Sequence, residues 1–158
     1  MSDEIKTIAE LEVSAGRELG ISEWFSIDQK LVSAFADLTG DQQYIHVDPQ
    51  ACQQEGLPGT IAHGFLTLSL QPMLGKSRAG TKIAVPVTRA VNYGLNKVRF
   101  MAPVPVPSRI RLHTSILSVS KAVDFVDVTY AHRIEVEGSD RLAMYAEAID
   151  RLYLKKLQ

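Results

Sequence analysis

Two side chains with complementary proton chemistry lie close together in the sequence DQQYIHVDP, Asp41 and, five residues later, His46. An imidazole exchanges a proton near neutral pH, and a nearby carboxylate can orient it or share a bound water with it. Helical neighbours lie three or four residues apart, so a loop has to bring these two side chains together. Such a pair could add or remove water. On spacing alone, a turn in which Asp41 caps a backbone amide and His46 is half exposed is the more frequent arrangement.

A second chemical element is the segment PGTIAHG, residues 58–64, which leads into an apolar stretch. Backbone amides at a helix N-terminus are unpaired and suit a carbonyl oxygen that becomes negative during a reaction. Gly64 would let a substrate approach the backbone closely. Tight packing also explains glycines at positions 59 and 64. We expect His63 to be a buried histidine with a satisfied hydrogen bond, since one ring suffices for the chemistry.

Other kinds of site find less support in the sequence. The members of a possible carboxylate-histidine metal site are Asp41, His46, Asp48 and His63. Their spacing matches no HExxH pattern and no cysteine cluster accompanies them, so no metal is expected. A lone cysteine such as Cys52 more often packs than serves as a nucleophile.

Lys97 and Arg99 lie two residues apart on a predicted strand, so both project from one face. They could contact the phosphates of a ligand. A solvated strand face explains the pair equally well.

The first half of the chain carries the helical patterns. Residues 22–27 favour a short strand, and a helix follows that Asp28 caps and Gly40 ends. Residues 41–60 predict an irregular loop with at most a short helix after Pro49. Residues 61–76 are apolar around most of the circumference, which is typical of a helix buried inside a fold.

The second half changes to alternating apolar and polar residues, which predicts strands. The four predicted strands are residues 87–100, broken near Gly94, and residues 109–120, 122–137 and 142–154. Prolines 103, 105 and 107 remove backbone donors, so their segment must be an edge, bend or crossover. Helices followed by strands indicate an α+β fold, an antiparallel sheet wrapped around a long central helix in the hot-dog arrangement.

Size and charge narrow the functional class. A chain of 158 residues with 46% hydrophobic content predicts one domain over residues 1–158. Its formal charge of −1 lacks the positive field that nucleic-acid binding requires, so no nucleic-acid partner is expected. Residues 64–74, the longest weakly polar stretch, are far shorter than the ~20 residues of a membrane span. The lone cysteine and a start without a basic, apolar signal favour the cytoplasm.

Three blocks occur in order along the chain: FADLTGDQQYIHVDP, GLPGTIAHGF and NYGLNKVRFMAPVPV. Together they resemble the MaoC-like dehydratase family of (R)-specific enoyl-CoA hydratases, in particular its NodN-like branch, which includes mycobacterial enoyl-CoA hydratases. The resemblance runs from about Trp24 to Tyr153. It implies a hot-dog fold, a homodimer whose sheets join, and a tunnel for an acyl-CoA near the subunit interface.

The resemblance also implies roles for residues of this chain. Asp41 and His46 would hold and deprotonate a water, and the backbone amide of Gly64 would contact the thioester oxygen. Water would add at C3 of a trans-2-enoyl-CoA while a proton reaches C2, giving an (R)-3-hydroxyacyl-CoA, and the same groups would dehydrate in reverse. No cofactor is required. The side chains expected to contact the substrate are Gln43, Tyr44, His63, Asn92, Lys97 and Arg99.

One departure from the family pattern bears on chain-length preference rather than on the chemistry. Many members have Asp-x-Asn-Pro-(Ile/Leu)-His, whereas Gln43 and Tyr44 stand here where Asn-Pro would be.

Two alternative functions stay open. A hot-dog acyl-CoA thioesterase commonly needs an acidic residue on or beside the central helix, and residues 61–76 contain none. A non-catalytic acyl-CoA-binding accessory protein would use Asp41 and His46 only as structural caps.

Overall fold

A computed structural model describes residues 3–155 of the chain. Within that range the elements are, in order, β1 (Glu4–Ile5), α1 (Ile8–Glu12), β2 (Glu18–Ile21), β3 (Phe25–Ile27), α2 (Gln29–Thr39), α3 (Tyr44–Val47), α4 (Pro49–Gln54), α5 (Gly64–Ser69), α6 (Gln71–Lys76), β4 (Ala79–Gly80), β5 (Lys82–Ile83), β6 (Val87–Phe100), β7 (Ser108–Lys121), β8 (Phe125–Val136) and β9 (Leu142–Leu154). None of the helices in this range has the length and apolar character needed to cross a membrane.

An antiparallel sheet dominates the fold. Its strands lie in the order β4, β2, β7, β8, β9, β6, and β3 also pairs with β7. The short strands β1 and β5 form a separate parallel pair. At one edge of the sheet, β6 pairs with β9 on one side, and no strand among residues 3–155 pairs with its other side.

The core lies on the face of the sheet that α5 and α6 cover. One cluster of buried apolar side chains joins the helices to the sheet, for example Leu66 and Leu74 with Ile134. A second cluster lies further along the same strands, where Leu11 of α1 packs with Val128. The side chains of a strand alternate between its faces, so the opposite face carries the polar positions. This arrangement confirms the predicted α+β class.

Helix α2 begins and ends where its sequence predicts. The Asp28 carboxylate accepts a hydrogen bond from the Leu31 amide at 2.8 Å, and this satisfies a donor at the helix start. Gly40 has a left-handed φ of 78°, a conformation that costs other residues more than glycine. The prediction for this helix is confirmed.

The central helix is shorter than predicted and is interrupted. It begins at Gly64 instead of residue 61, and it consists of α5 and α6, which meet at Leu70. Pro72 has no amide hydrogen to donate to the carbonyl of Leu68, so the regular hydrogen-bond ladder cannot run through this point.

The proline segment, residues 103–107, explains the late start of the helix. Val106 donates to the Thr60 carbonyl at 3.0 Å, and Ala62 donates to the Val104 carbonyl at 2.9 Å. This pairing keeps residues 60–62 extended. The segment lies outside the main sheet, so the expectation that the prolines form an edge, bend or crossover is confirmed.

The four long strands agree with the predicted ranges to within three residues at each end. The expected break near Gly94 is a bulge, because the pairing with β9 shifts register between Asn92 and Gly94 while the strand continues. Residues 4–21, to which the sequence analysis assigned no element, hold β1, α1 and β2.

A set of polar side chains, the polar belt, interrupts the apolar inner face between the two clusters. Its members are Gln71, Thr114, Tyr130, His132 and Asp150. Thr114 pairs with His132 across β7 and β8, and the His132 Nδ1–H donates to Oε1 of Gln71 at 2.5 Å.

Burial, with a smaller effect from a nearby arginine, lowers the pKa of His132 to about 4, and burial raises the pKa of Asp150. The ring of His132 is therefore neutral at neutral pH.

We expect His132 to make the protein less stable on mild acidification. Its pKa is about 4 in the folded chain and 6.5 for an unperturbed ring, so between these values the unfolded chain binds the extra proton. Stability then falls as the pH drops, by about 2 kcal/mol between roughly pH 7 and pH 5. The raised pKa of Asp150 has the opposite effect, because the folded chain binds that proton more readily and stability rises as the pH falls. This contribution is present in both the wild type and the variant that are compared below.

Urea unfolding of the wild type and His132→Gln at the two pH values isolates this contribution. The wild type should lose about 2 kcal/mol more than the variant. Equal losses in the two proteins would show that His132 is not the responsible group.

Candidate active site

The loop after α2 carries both members of the predicted pair. Gly40 ends α2 and turns the chain into residues 41–43. The sequence predicted an irregular loop here, but the next four residues form a further helical turn, α3. That turn places the His46 side chain inside the protein, where the residue is 7% exposed. Asp41 lies at the more accessible start of the loop.

His46 is held through both its ring and its backbone. Its Nδ1 lies 2.7 Å from the carbonyl oxygen of Ile61. A carbonyl can only accept a hydrogen bond, so Nδ1 carries the proton and Nε2 of the neutral ring keeps its lone pair. Gln29 donates to the His46 carbonyl at 2.7 Å and accepts from the Thr60 hydroxyl at 2.6 Å. The ring is therefore oriented with its basic nitrogen available.

His63 packs directly on this ring. The ring centroids of His46 and His63 are 3.7 Å apart and the rings are stacked. The Nε2–H of His63 donates to the backbone carbonyl of Asp41 at 3.0 Å, which ties the loop to the start of α5. Its Nδ1 is buried and has no hydrogen-bond partner among residues 3–155. His63 is buried as predicted, but its hydrogen bonding within the described chain is incomplete.

The structure brings the functional atoms of Asp41, His46 and His63 within 4.8 Å of one another. At such a separation one water can bridge a carboxylate oxygen and an imidazole nitrogen, with hydrogen bonds of about 2.8 Å each. Asp48 does not join this group. Its carboxylate accepts from two amides of α4, each at 3.0 Å, and caps that helix. Three of the four residues considered as metal ligands therefore lie together, and Asp48 does not.

Two hollows meet at this group. One of about 280 Å³ extends toward Phe100 and the proline segment, and one of about 470 Å³ also contains Asp41 and His63. His46 and Gly64 line both. Gly64 is the first residue of α5, so its amide has no acceptor within the helix. It has no backbone acceptor elsewhere in residues 3–155 either. The predicted dyad and the predicted amide thus border the same space.

The remaining predicted substrate contacts are dispersed. Gln43 and Tyr44 are exposed beside the site, and neither lines the two hollows. Asn92 lies on β6, where it pairs with Asp150 of β9, and it lines a different hollow. Contact of these side chains with a substrate stays a prediction.

Lys97 and Arg99 lie on the face of the sheet that points away from the helices. They pair in register with Glu147 and Tyr145, and between those two positions Ala146 faces the core. Both side chains do project from one face as predicted. Neither lines the hollows at His46, so a phosphate contact by them would have to lie outside these hollows.

Sequence reasoning missed two residues that shape the site. Gln29 fixes the backbone of His46, and Phe100 lies against Gly64, where an added Cβ would be 2.8 Å from the phenyl ring. A glutamine in a first helical turn and an aromatic residue in a strand are ordinary choices. No local pattern distinguishes them.

Comparisons with known proteins identify the family of the chain. The profile of the MaoC like domain matches residues 10–138. The 3-hydroxyacyl-thioester dehydratase Z of Mycobacterium tuberculosis strain H37Rv is 46% identical over 147 residues, which cover 92% of this chain and 95% of that protein. Nodulation protein N of Rhizobium leguminosarum bv. viciae is 39% identical over 145 residues, 90% of this chain and 89% of that protein.

A solved structure shows the same fold. The unliganded R-hydratase PhaJ1 from Pseudomonas aeruginosa superposes with a TM-score of 0.70 at 21% identity, over 93% of this chain and 86% of that one. At this identity the likeness concerns the fold alone, and it confirms the predicted hot-dog arrangement. The profile match extends over most of the sequence, and the family resemblance of the three blocks is confirmed. The chain belongs to the MaoC-like domain family.

Proposed function

We propose that the chain is a hydro-lyase that adds water to trans-2-enoyl-CoA, forms (R)-3-hydroxyacyl-CoA, and catalyses the reverse dehydration. The orientation of His46 carries this proposal. Its Nδ1 proton is bound to the Ile61 carbonyl, which leaves Nε2 for the hollow that the ring shares with Asp41. An unprotonated imidazole nitrogen beside a carboxylate is suited to activating a water.

In the proposed reaction, Asp41 and Nε2 of His46 hold the water between them. One O–H bond breaks, its proton goes to the dyad, and the oxygen forms a bond to C3. The electron pair of the double bond moves toward C2 and the thioester oxygen, which the Gly64 amide stabilises by a hydrogen bond. A proton from the dyad then forms the new C2–H bond. His63 keeps Asp41 in place, because its ring Nε2–H donates to the backbone carbonyl of Asp41.

The names of relatives support the reaction class. The mycobacterial protein that is 46% identical is called a 3-hydroxyacyl-thioester dehydratase, which is the same reaction viewed from the hydrated side. We further propose a single domain over residues 1–158 and a cytoplasmic location, since a lone cysteine suits a reducing compartment.

Hydration of crotonyl-CoA tests the proposal directly. Purified protein should remove the absorbance of the conjugated enoyl thioester, and the product should resist an (S)-specific 3-hydroxyacyl-CoA dehydrogenase. Absence of hydration for every acyl length tried would refute the enzyme proposal. An (S)-configured product would refute its stereochemistry.

The same assay separates the alternatives. A thioesterase would release free thiol, which a thiol reagent detects; α5 and α6 contain no acidic residue, although Asp41 lies beside them. A non-catalytic accessory protein, an alternative consistent with the likeness to nodulation protein N, would bind acyl-CoA without changing either signal.

We also propose that two copies form a homodimer through β6. This strand has a free edge within the described chain, and its exposed apolar residues include Val91, Tyr93 and Leu95 at 37%, 55% and 48% exposure. Long exposed apolar edges tend to pair with another strand. Two-fold pairing of β6 with its copy would join the two sheets and cover these side chains.

Leu95→Glu should therefore dissociate the dimer. A buried, unpaired carboxylate at a two-fold contact is costly, and symmetry places two of them there. Leu117→Glu is the matched control, because Leu117 is 44% exposed on β7, away from this edge. In sedimentation velocity, the wild type and the control should run as dimers and Leu95→Glu as a monomer. A monomeric wild type would contradict the proposal.

A further inference from the structure

Three hollows of about 470, 450 and 300 Å³ lie one after another along α5 and α6, starting at the dyad, and are together called the groove. The first and second share Ser69, and the second and third share Gln71 and Asn92. With a rise of about 1.5 Å per residue, Gln71 lies ~10 Å along the helices from Gly64. An extended acyl chain with its thioester at the dyad can follow this direction.

The far end of the groove is polar. All five members of the polar belt line the third hollow. Thr114 is 1% exposed, and its hydroxyl has no hydrogen-bond partner among residues 3–155. The Nδ1 proton of His132 is committed to Gln71, so Nε2 of the neutral ring remains as an acceptor.

The fold does not require polar residues at this place. Thr114, His132 and Asp150 lie on inward-facing strand positions between the two apolar clusters, Tyr130 belongs to the second cluster, and Gln71 contacts His132 from α6. A buried hydroxyl without a partner is less favourable than an apolar side chain of the same shape, because it loses its hydrogen bonds to water and gains none. A ligand group that completes these hydrogen bonds would remove that cost.

The combination of donors and acceptors indicates the ligand group. A hydroxyl can donate to Nε2 of His132 and at the same time accept from Thr114 or Tyr130. A carboxylate can only accept, so it would face the lone pair of His132 and the carboxyl of Asp150. Two cations also line the hollow: Lys76, which is exposed to solvent, and Arg78, whose guanidinium donates to the Thr81 carbonyl at 3.1 Å. The site fits an uncharged hydroxyl better than an anion.

We propose that this groove binds an acyl chain whose far end carries a hydroxyl group, which Thr114 and His132 recognise. The inference rests on the proposed function, because the dyad defines where the thioester end lies. Under this proposal, the preferred substrates are enoyl thioesters whose acyl chain carries a terminal hydroxyl group.

Binding of saturated esters tests the inference without relying on catalysis. Titration calorimetry compares hexanoyl-, octanoyl- and decanoyl-CoA with their terminally hydroxylated counterparts. At the length that reaches the belt, the wild type should bind the hydroxylated ester about tenfold more tightly. Thr114→Val keeps the shape without the hydroxyl and should remove most of this preference. The matched control Thr129→Val should retain it, because Thr129 alternates with Val128 and Tyr130 and lies on the other face of the sheet.

Three results would overturn the inference: equal binding of the paired esters at every length, a preference that survives Thr114→Val, or no binding of either ester. Tighter binding of the terminally carboxylated ester would overturn it as well, in favour of an anion held by Arg78. Hydration of crotonyl-CoA is measured separately and decides the proposed function, so the two failures are distinguishable.

Discussion

His46→Gln should lower kcat for the hydration of crotonyl-CoA by at least a hundredfold and up to about 10⁴-fold. Glutamine can still hydrogen-bond in the space of the ring, but it has no nitrogen that accepts a proton near neutral pH. Asp41→Asn keeps the shape and removes the charge, and we expect a loss of similar size. Because both side chains act on one water, the double variant should be little slower than the slower single variant.

His113→Gln is the matched control for the histidine. Its ring lies on the outer face of the sheet, where Nε2 is 2.6 Å from the Glu135 carboxylate, so hydration should continue at the wild-type rate. Initial rates of all variants are compared after circular dichroism confirms folding. Wild-type activity in His46→Gln would move the site elsewhere, and fully multiplicative losses in the double variant would contradict a shared water.

Gly64→Ala should lower kcat/KM by about a hundredfold. The added Cβ would lie 2.8 Å from the Phe100 ring, so the ring or the start of α5 must shift. A shift of about 1 Å at the amide proposed to stabilise the thioester oxygen is enough for a loss of this size. Rates with crotonyl-CoA, together with the midpoint of urea unfolding, separate the effect on activity from the effect on stability.

Gly75→Ala provides the control on the same pair of helices. A Cβ at Gly75 meets nothing within 4 Å, so this variant should keep full activity and gain about 0.5–1 kcal/mol of stability. The double variant Gly64→Ala/Phe100→Leu should recover stability. If Gly64→Ala is as active as the wild type, the backbone at this position is not part of the catalytic site.

Local patterns were sufficient to predict most elements of the fold. Asp28 and Gly40 act on the helix they flank, and alternation of apolar residues reports a strand with one buried face, so both predictions hold in the structure. The central helix was predicted to start too early. Nothing near residue 61 in the sequence shows that the proline segment, some forty residues later, would pair with it and keep it extended.

The site was predicted less completely. Spacing alone favoured a capped turn for Asp41 and His46, and only the family resemblance indicated a catalytic pair. The structure brings the two side chains together, while their roles and the substrate contacts of Gln43, Tyr44, His63, Asn92, Lys97 and Arg99 stay predictions. The polar belt had a usable signal, since Thr114 and His132 occupy inward positions of otherwise apolar strands. Without a structure, that signal does not reveal that His132 bonds to Gln71 and that both residues line one hollow with Thr114.

The sequence by itself determined helix α2 with its capped ends, the four long strands and, through three short motif blocks, the family of the chain, because each element and each block is a pattern of residues close together in the chain. Only the tertiary structure decided which nitrogen of His46 carries its proton, why Gly64 must lack a side chain, and where a buried hydroxyl lacks a partner. Each of these depends on contacts across long sequence separations, between His46 and Ile61, Gly64 and Phe100, and Thr114 and His132. The energies of such contacts arise when packing brings distant segments together, and no local pattern records them.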